Sequence, residues 1–545
     1  MASDASTARD IVEPIHGEHR LAGNALGLSG VLFCIVTGAA PIAAMLFNVP
    51  VATFGGGTAV PAAFILATIV LTIFSVGYIE MARRVSAAGG FYSFISHGFG
   101  QVVGLGAAST VALCYIIFSA SVTGVTSYFA NTTIHDWFGV SVPVWLISLV
   151  TISAMTIFAW FHIELTAKVL GVCLVAEVAA LAIFAFAVLV QGGENGLHAS
   201  SLSPTTLFDG DANGAKAAFG SVAVGVALFG AFWSWIGFEM APNYAEESRN
   251  PKAIMAPATY ISVVGLGIVY TFVSWMFVAG WGGKPAVNAI ALQYGLVDGQ
   301  TLPHNYGSAF YPLTDKFVGH WLTLAFELLI VTGSFACQLA FYNTASRYLF
   351  SMGRERIIPA TFGRTHPSHH SPYLAAMLTT GLVLCVFGGF TWYDHTTLGS
   401  LLKLGTWGPL MGVFGILCVM TLCSAAIVRY FLVHRRDEFH IIRTLIAPVL
   451  GFLGCAYAAY LLHDNREFLA GGKALWVDYL AVAVLIFFLI GAGLALFYRS
   501  RNPERYAAIG EFHRRPRVER PKRLRPGRGF SRLLCQSRCD EEHRR

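Results

Sequence analysis

Residues 232–251 read FWSWIGFEMAPNYAEESRNP: an apolar helix is interrupted at Gly237, carries a carboxylate two residues later at Glu239, and then turns hydrophilic. A charged side chain placed in hydrocarbon costs about 2.5 kcal/mol or more, and a backbone that leaves the helix there must find new hydrogen-bond partners. Both costs fall at one spot, which marks the segment as functional.

The rest of the chain places this segment in a membrane. Of 545 residues, 55% are hydrophobic and only 12% charged, with a mean hydropathy of +0.61, whereas soluble domains carry roughly 25% charged residues. A span needs about 20 apolar residues. Twelve such stretches occur, at about 24–50, 59–82, 101–130, 142–161, 166–191, 218–241, 254–282, 318–350, 373–393, 398–432, 441–463 and 474–498. The expected fold is therefore an all-α integral membrane protein with 12 transmembrane helices.

Residues 1–22 are polar and lack the apolar core of a secretory leader, so they are expected to remain as an N-terminal segment ahead of a transmembrane body at 23–498. Lys and Arg beside the spans orient the chain. The even-numbered loops are basic (Arg83 and Arg84; Arg249 and Lys252; Arg347, Arg354, Arg356 and Arg364; Arg429, Arg435, Arg436 and Arg443), and the odd-numbered ones hold scattered lysines among acids. Both termini are expected on the cytoplasmic side of the cell membrane. The net +6 comes from the tail: residues 499–545 hold 15 Lys plus Arg against 6 Asp plus Glu, and the remainder 21 against 24. A basic tail on a membrane anchor suits anionic lipid, and without interleaved aromatics it gives no reason to expect nucleic acid.

Eight of the ten cysteines are spread through apolar spans without CxxC spacing and are read as core residues; Cys535 and Cys539 lie in the tail. Asn131-Thr132-Thr133 matches a glycosylation sequon. His366, His369 and His370 read as a solvated loop, and neither a metal site nor a cofactor is expected.

A second interruption lies in the first span, at Thr37-Gly38-Ala39-Ala40-Pro41. Paired breaks in corresponding positions of two five-span halves point to an inverted-repeat transporter with its site at the midplane. Half-helix N-termini there offer N–H groups to an anion, and C-termini offer carbonyls to a cation. Gly220, Gly225, Gly265 and Gly267 read as points of close helix packing.

At these residues the chain resembles the amino acid/polyamine/organocation (APC) superfamily of permeases. Phe238-Glu239 with Ala245-Glu246-Glu247-Ser248-Arg249-Asn250-Pro251 is similar to that family's G-F-E…E-E-x-x-N-P signature. Glu80-Met81-Ala82-Arg83 with Ala88-Gly89-Gly90-Phe91-Tyr92 resembles its E-x-A…G-G-x-Y loop. Arg347 to Arg354 with Ile357-Ile358-Pro359 resembles its loop after span eight, with Glu355-Arg356 where the family usually has Asp-Gly. The resemblance implies a LeuT-like fold, a 5+5 inverted repeat plus two peripheral helices, moving small amino acids or amines by alternating access. It also implies roles. Thr37, Gly38, Ala39 and Ala40 with Trp233, Ser234, Trp235, Ile236 and Gly237 would bind substrate. Gly38 and Ala39 would offer backbone N–H groups to a carboxylate, although the family's G-S-G-like run is absent.

Glu239 is the candidate coupling residue, since burial favours the protonated form of a carboxyl; the alternative is a fixed carboxylate that accepts from helix N–H groups. Glu177 in span five is a second coupling candidate, and Glu327 in span eight is also read as near mid-membrane. Glu80, Arg83, Glu246 and Glu247 are candidates for a gate of ion pairs, which exposed pairs suit because each contributes only about 0–1 kcal/mol. Lys168 and Lys403 are expected to snorkel. Tyr115, Ser119, Cys337 and Gln338 are suspected of shaping selectivity. The expected function is a secondary active amino acid permease importing with protons. The alternatives are an amino acid/amine exchanger or a transporter-like sensor. An enzyme is disfavoured, since no metal cluster, Ser-His-acid set or nucleotide loop is visible.

Overall fold

The computed structural model describes residues 21–85, 89–161, 163–220, 223–293, 308–393, 398–470 and 475–510. The expectations for the first 20 residues, for Cys535 and Cys539, and for most of the basic tail lie outside the described residues. The described chain is helical, as a hydrocarbon environment demands of backbone that must satisfy its own hydrogen bonds. Among the described residues, ten helical segments are long and apolar enough to cross a membrane. The first, at 28–82, contains two of the expected stretches, and Val144–Trp160 is a shorter apolar helix of 17 residues.

Burial sorts these helices. The apolar window of 224–244 is 94% buried and that of Gln101–Phe138 72%, whereas Tyr373–Tyr393 and Leu480–Arg501 are 28% buried and turn Leu384, Leu485, Leu489 and Ile490 outward. A protein-filled interior is thus ringed by helices with lipid-facing surfaces.

The centre is built on Gln101–Phe138, which packs against His320–Arg354, Leu398–Val433 and Leu480–Arg501. Along one seam small residues let backbones approach. A Cβ on Gly408 would fall 1.8 Å from Ser121 Oγ, and one on Gly412 would fall 2.1 Å from a Phe118 ring carbon. Dispersion contact at such seams replaces the hydrophobic drive that lipid cannot supply.

The expected packing glycines divide. Gly225 and Gly267 do sit against neighbours, at 2.1 Å from Leu461 O and 2.4 Å from Thr68 Cγ2 for an added Cβ. Gly265 has open space around it, and Gly220 adopts φ +78° at a turn, so neither is a packing position. Among the eight described cysteines the core reading holds for five; Cys385 is exposed on an outward-facing helix, and Cys173 and Cys418 are half-buried.

Candidate functional site

The first break falls within the expected run Thr37–Pro41, two residues after its glycine. The Leu28–Ala39 helix runs through Gly38, and the chain turns at Ala40, which adopts φ +42°. Pro41 explains the position: its ring disfavours the helical region for the residue before it, and its fixed φ starts the next helix cleanly. Gly38 and Ala39 therefore end a helix and present carbonyls, not the free N–H groups expected of a carboxylate cradle. Those carbonyls are occupied. Cys337 Sγ donates to Gly38 O at 3.1 Å, and Tyr270 Oη donates to Ala39 O at 3.0 Å. On the far side of the break the Ile42 N–H donates to Glu177 Oε2 at 3.1 Å.

The second break repeats this arrangement. The Val224–Trp235 helix stops, Gly237 adopts φ +133°, and the chain continues as a 3₁₀ stretch over Phe238–Tyr244. Only glycine fits at 237: an added Cβ would lie 2.8 Å from Ile35 O and 3.0 Å from Ala39 N. The two breaks thus pack directly on each other. The Gly237 N–H donates to Glu239 Oε2 at 2.9 Å, Tyr115 Oη donates to Glu239 Oε1 at 2.6 Å, and Tyr78 Oη donates to the Glu239 carbonyl at 2.7 Å.

Each break therefore holds its own buried carboxylate on a freed N–H: Glu177 at the first, Glu239 at the second. They differ in occupancy. Both oxygens of Glu239 accept hydrogen bonds, whereas Glu177 Oε1 is buried without a partner.

Between the broken segments lies a cavity of about 30 Å³, room for about one water. Gly38, Ala39 and Ala40 form one wall, Trp233 and Phe341 another, and Phe47, Val122 and Val125 a third. Asn48, Ser334 and Cys337 supply its polar edge, where the Ser334 hydroxyl is buried and unpartnered. No charged side chain among the described residues lines it.

Of the substrate-binding candidates, Gly38, Ala39, Ala40 and Trp233 reach this cavity. Trp235 turns away: its indole donates to Val263 O at 3.2 Å and packs on Phe64 and Tyr270. Ser234 accepts from Asn48 Nδ2 at 2.9 Å, joining the two broken segments, and Thr37 bonds within its own helix. Ile236 and Gly237 shape the break without lining the cavity. Cys337 is at the site, Tyr115 serves Glu239, Gln338 bonds Thr123, and Ser119 faces Met155.

The candidate gate residues form two separate groups. Glu247 pairs with Arg347 through three contacts of 2.9–3.0 Å, both side chains 3% exposed, and Arg347 lies 4.5 Å over the Tyr244 ring. Burial raises the Glu247 pKa, and the Arg347 guanidinium offsets part of that rise. Glu246 pairs with Arg354 at 2.6 Å. Glu80 instead pairs with Arg83, Arg84 and Arg443 at a different place. Backbone joins the first group further: the Leu26 N–H donates to Glu247 O and the Arg249 N–H to Leu26 O, each at 2.9 Å.

Three contacts escaped the sequence. Glu355 is buried and accepts from Tyr92 Oη and from the Gly510 N–H at 3.0 Å. Its neighbour Arg356 adopts φ +59°, a conformation that glycine takes without strain. Glu327 lies only about two turns into the helix that starts at His320, bonded to Trp137 Nε1 at 2.6 Å, so it sits near that end of the helix rather than mid-membrane. Lys168 is exposed, as snorkelling requires, and His366 stacks on His369 at 4.8 Å.

A family model described as amino acid permease matches residues 26–507. A gamma-aminobutyric acid permease of Escherichia coli is 26% identical over 67% of this chain and 72% of its own length. A low-affinity putrescine importer of Escherichia coli is 21% identical over 82% of this chain and 87% of its own. An uncharacterized transporter of Rhizobium meliloti is 25% identical over 56% of this chain, and the match spans 60% of that relative.

Proposed function

This chain belongs to the amino acid permease family of the APC superfamily, and on that premise we propose that it is a proton-coupled permease of the cell membrane for amino acids with small, uncharged side chains. It works by alternating access in a LeuT-like frame of 12 helices, two of them peripheral, with both termini cytoplasmic. Two of these relatives are named for gamma-aminobutyric acid and putrescine, and the observation that supports an amino acid over a diamine here is the wall of the central cavity. Ala, Val, Phe and Trp side chains face it without a charged partner among the described residues. A putrescine dication or an acidic side chain would be desolvated there with nothing to pair with. A zwitterion's ammonium end instead meets the second lone pairs of the Gly38 and Ala39 carbonyls, which Cys337 and Tyr270 leave over, at the negative pole of a half-helix. Its side chain lies against Trp233, Val122 and Val125.

The cavity is far smaller than an amino acid, so binding requires the broken segments to move. The ion pairs of Glu246 and Glu247 are what must part on one side. Glu239 and Glu177 are the proton carriers in this reading, each on a mobile backbone joint. Purified protein in proteoliposomes, offered a mixed panel of radiolabelled amino acids and polyamines with and without an inward proton gradient, tests the proposal. Small neutral amino acids should accumulate when the gradient is imposed. Uptake restricted to putrescine or glutamate would refute the substrate class, and flux seen only with substrate on both sides would make the protein an exchanger.

A further inference from the structure

A second cavity lies away from the central site. It has a volume of about 500 Å³, opens to the surface, and gathers the ends of three helices that the chain keeps far apart in sequence. Arg83 and Arg84 follow the Val60–Ala82 helix, Lys252 lies at the start of the Pro251–Gly280 helix, and Arg435 precedes, and Arg443 lies within, the turn that leads into Ala447–Asp464. Two carboxylates, Glu80 and Glu438, face these five cations.

The pairing leaves positive charge over. Glu80 and Glu438 share Arg84, at 2.6 Å and 2.5 Å, while Arg83 and Arg435 each reach one carboxylate at 3.2–3.3 Å. Arg443 approaches Glu80 only at 3.6 Å, and Lys252 is exposed with no ion pair among the described residues. Lys252 is also the second residue of a 30-residue helix, whose positive end adds to the field.

The same wall is apolar where it leaves the pocket. Arg443 belongs to a single wide turn, Ile441–Ile446, in which Ile441, Ile442 and Ile446 are exposed, and Leu450 and Leu453 continue that exposed surface along the next helix. A cationic pocket and a lipid-facing stripe thus come off one turn, which is the arrangement an anionic head group with acyl chains fits.

We propose that this cavity binds the phosphate of an anionic membrane lipid. The bound phosphodiester accepts from Lys252, Arg443 and Arg435, and its acyl chains lie over Ile441, Ile442 and Leu450. Free phosphate shares the head-group chemistry but has nothing to place on the stripe. The site is separate from the substrate cavity and stands whether or not the substrate reading holds.

The test uses the full chain in nanodiscs of phosphatidylcholine doped with phosphatidylglycerol, with bound lipid counted by native mass spectrometry. Phosphatidylglycerol should be retained in preference to phosphatidylcholine. Lys252→Gln should weaken that preference about fivefold, and Lys252→Gln with Arg443→Gln by a further factor of about five. Both side chains are exposed, so melting in pure phosphatidylcholine should be unchanged, and Arg435→Gln provides a third variant if either fails that control. An unaltered lipid preference in folded variants overturns the site. Displacement of the lipid by millimolar inorganic phosphate overturns the lipid assignment.

Discussion

Removing Arg347 should open one end of the molecule. The Arg347–Glu247 pair is bidentate, 3% exposed on each side and covered by the Tyr244 ring, so Arg347→Met strands a buried carboxylate. Breaking such a pair from one side costs about 3–5 kcal/mol, whereas replacing both partners with apolar residues is often near neutral. If the pair holds the broken segments together, that cost is paid only in the closed state, and the population of open molecules rises accordingly. Cys34 reports the change: it is 1% exposed in the first broken helix, which packs on the helix that carries Arg347. With Cys34 as the sole cysteine, a membrane-impermeant thiol reagent should label Arg347→Met at least tenfold faster than the parent. The Arg347→Met/Glu247→Leu double variant should return most of the way, giving a coupling energy of about 2 kcal/mol or more in the mutant cycle. Unchanged labelling in the single variant, together with a coupling energy near zero, would refute the gate.

Gly237→Ala should abolish transport, because its Cβ would enter the first break at 2.8 Å from Ile35 O, while Gly265→Ala, with open space around it, should leave initial uptake rates within about twofold. Trp235→Ala should cost about 3–5 kcal/mol in thermal unfolding as a core truncation, and Trp233→Ala should chiefly raise the KM for substrate. Glu177→Gln keeps an oxygen for the Ile42 N–H but removes the titrating group at the unpartnered position; uptake should lose its response to an imposed pH gradient while equilibrium exchange persists, and an unaltered pH profile counts against Glu177 as a carrier. Arg356→Gly relieves a left-handed backbone on an exposed residue and should stabilise the protein by about 0.5–1 kcal/mol, measured as a raised Tm.

Both breaks were legible in the sequence because Gly and Pro have few meanings inside an apolar helix, and the order of motifs around them named the family. Which side of each break faces which partner was not legible. The run Thr37–Pro41 suggests an amide cradle at Gly38 and Ala39, but Pro41 acts on the residue before it, so the turn falls at Ala40 and Gly38 and Ala39 close a helix with their carbonyls bonded to Cys337 and Tyr270. The ion pairs were hidden for a different reason. Glu247 and Arg347 are 100 residues apart, and Glu80 finds Arg443 across a still longer gap; residue types advertise charge, but only helix packing chooses the partner. Trp233 and Trp235 show the same limit at short range, since two residues of separation put one indole on the cavity and the other in the core.

The short backbone bridge at Leu26 gives the two broken segments a common hinge pin. Because its two bonds run from main chain to main chain, side-chain drift cannot erode it, and only Gly27 lies between Leu26 and the start of the first helix at Leu28. Displacement of one segment is therefore delivered to the other with little slack. The exit of the second segment is thus tied to the first in two places, through the stacked breaks and through the pin, and the carboxylate of Glu239 sits on the arm between them.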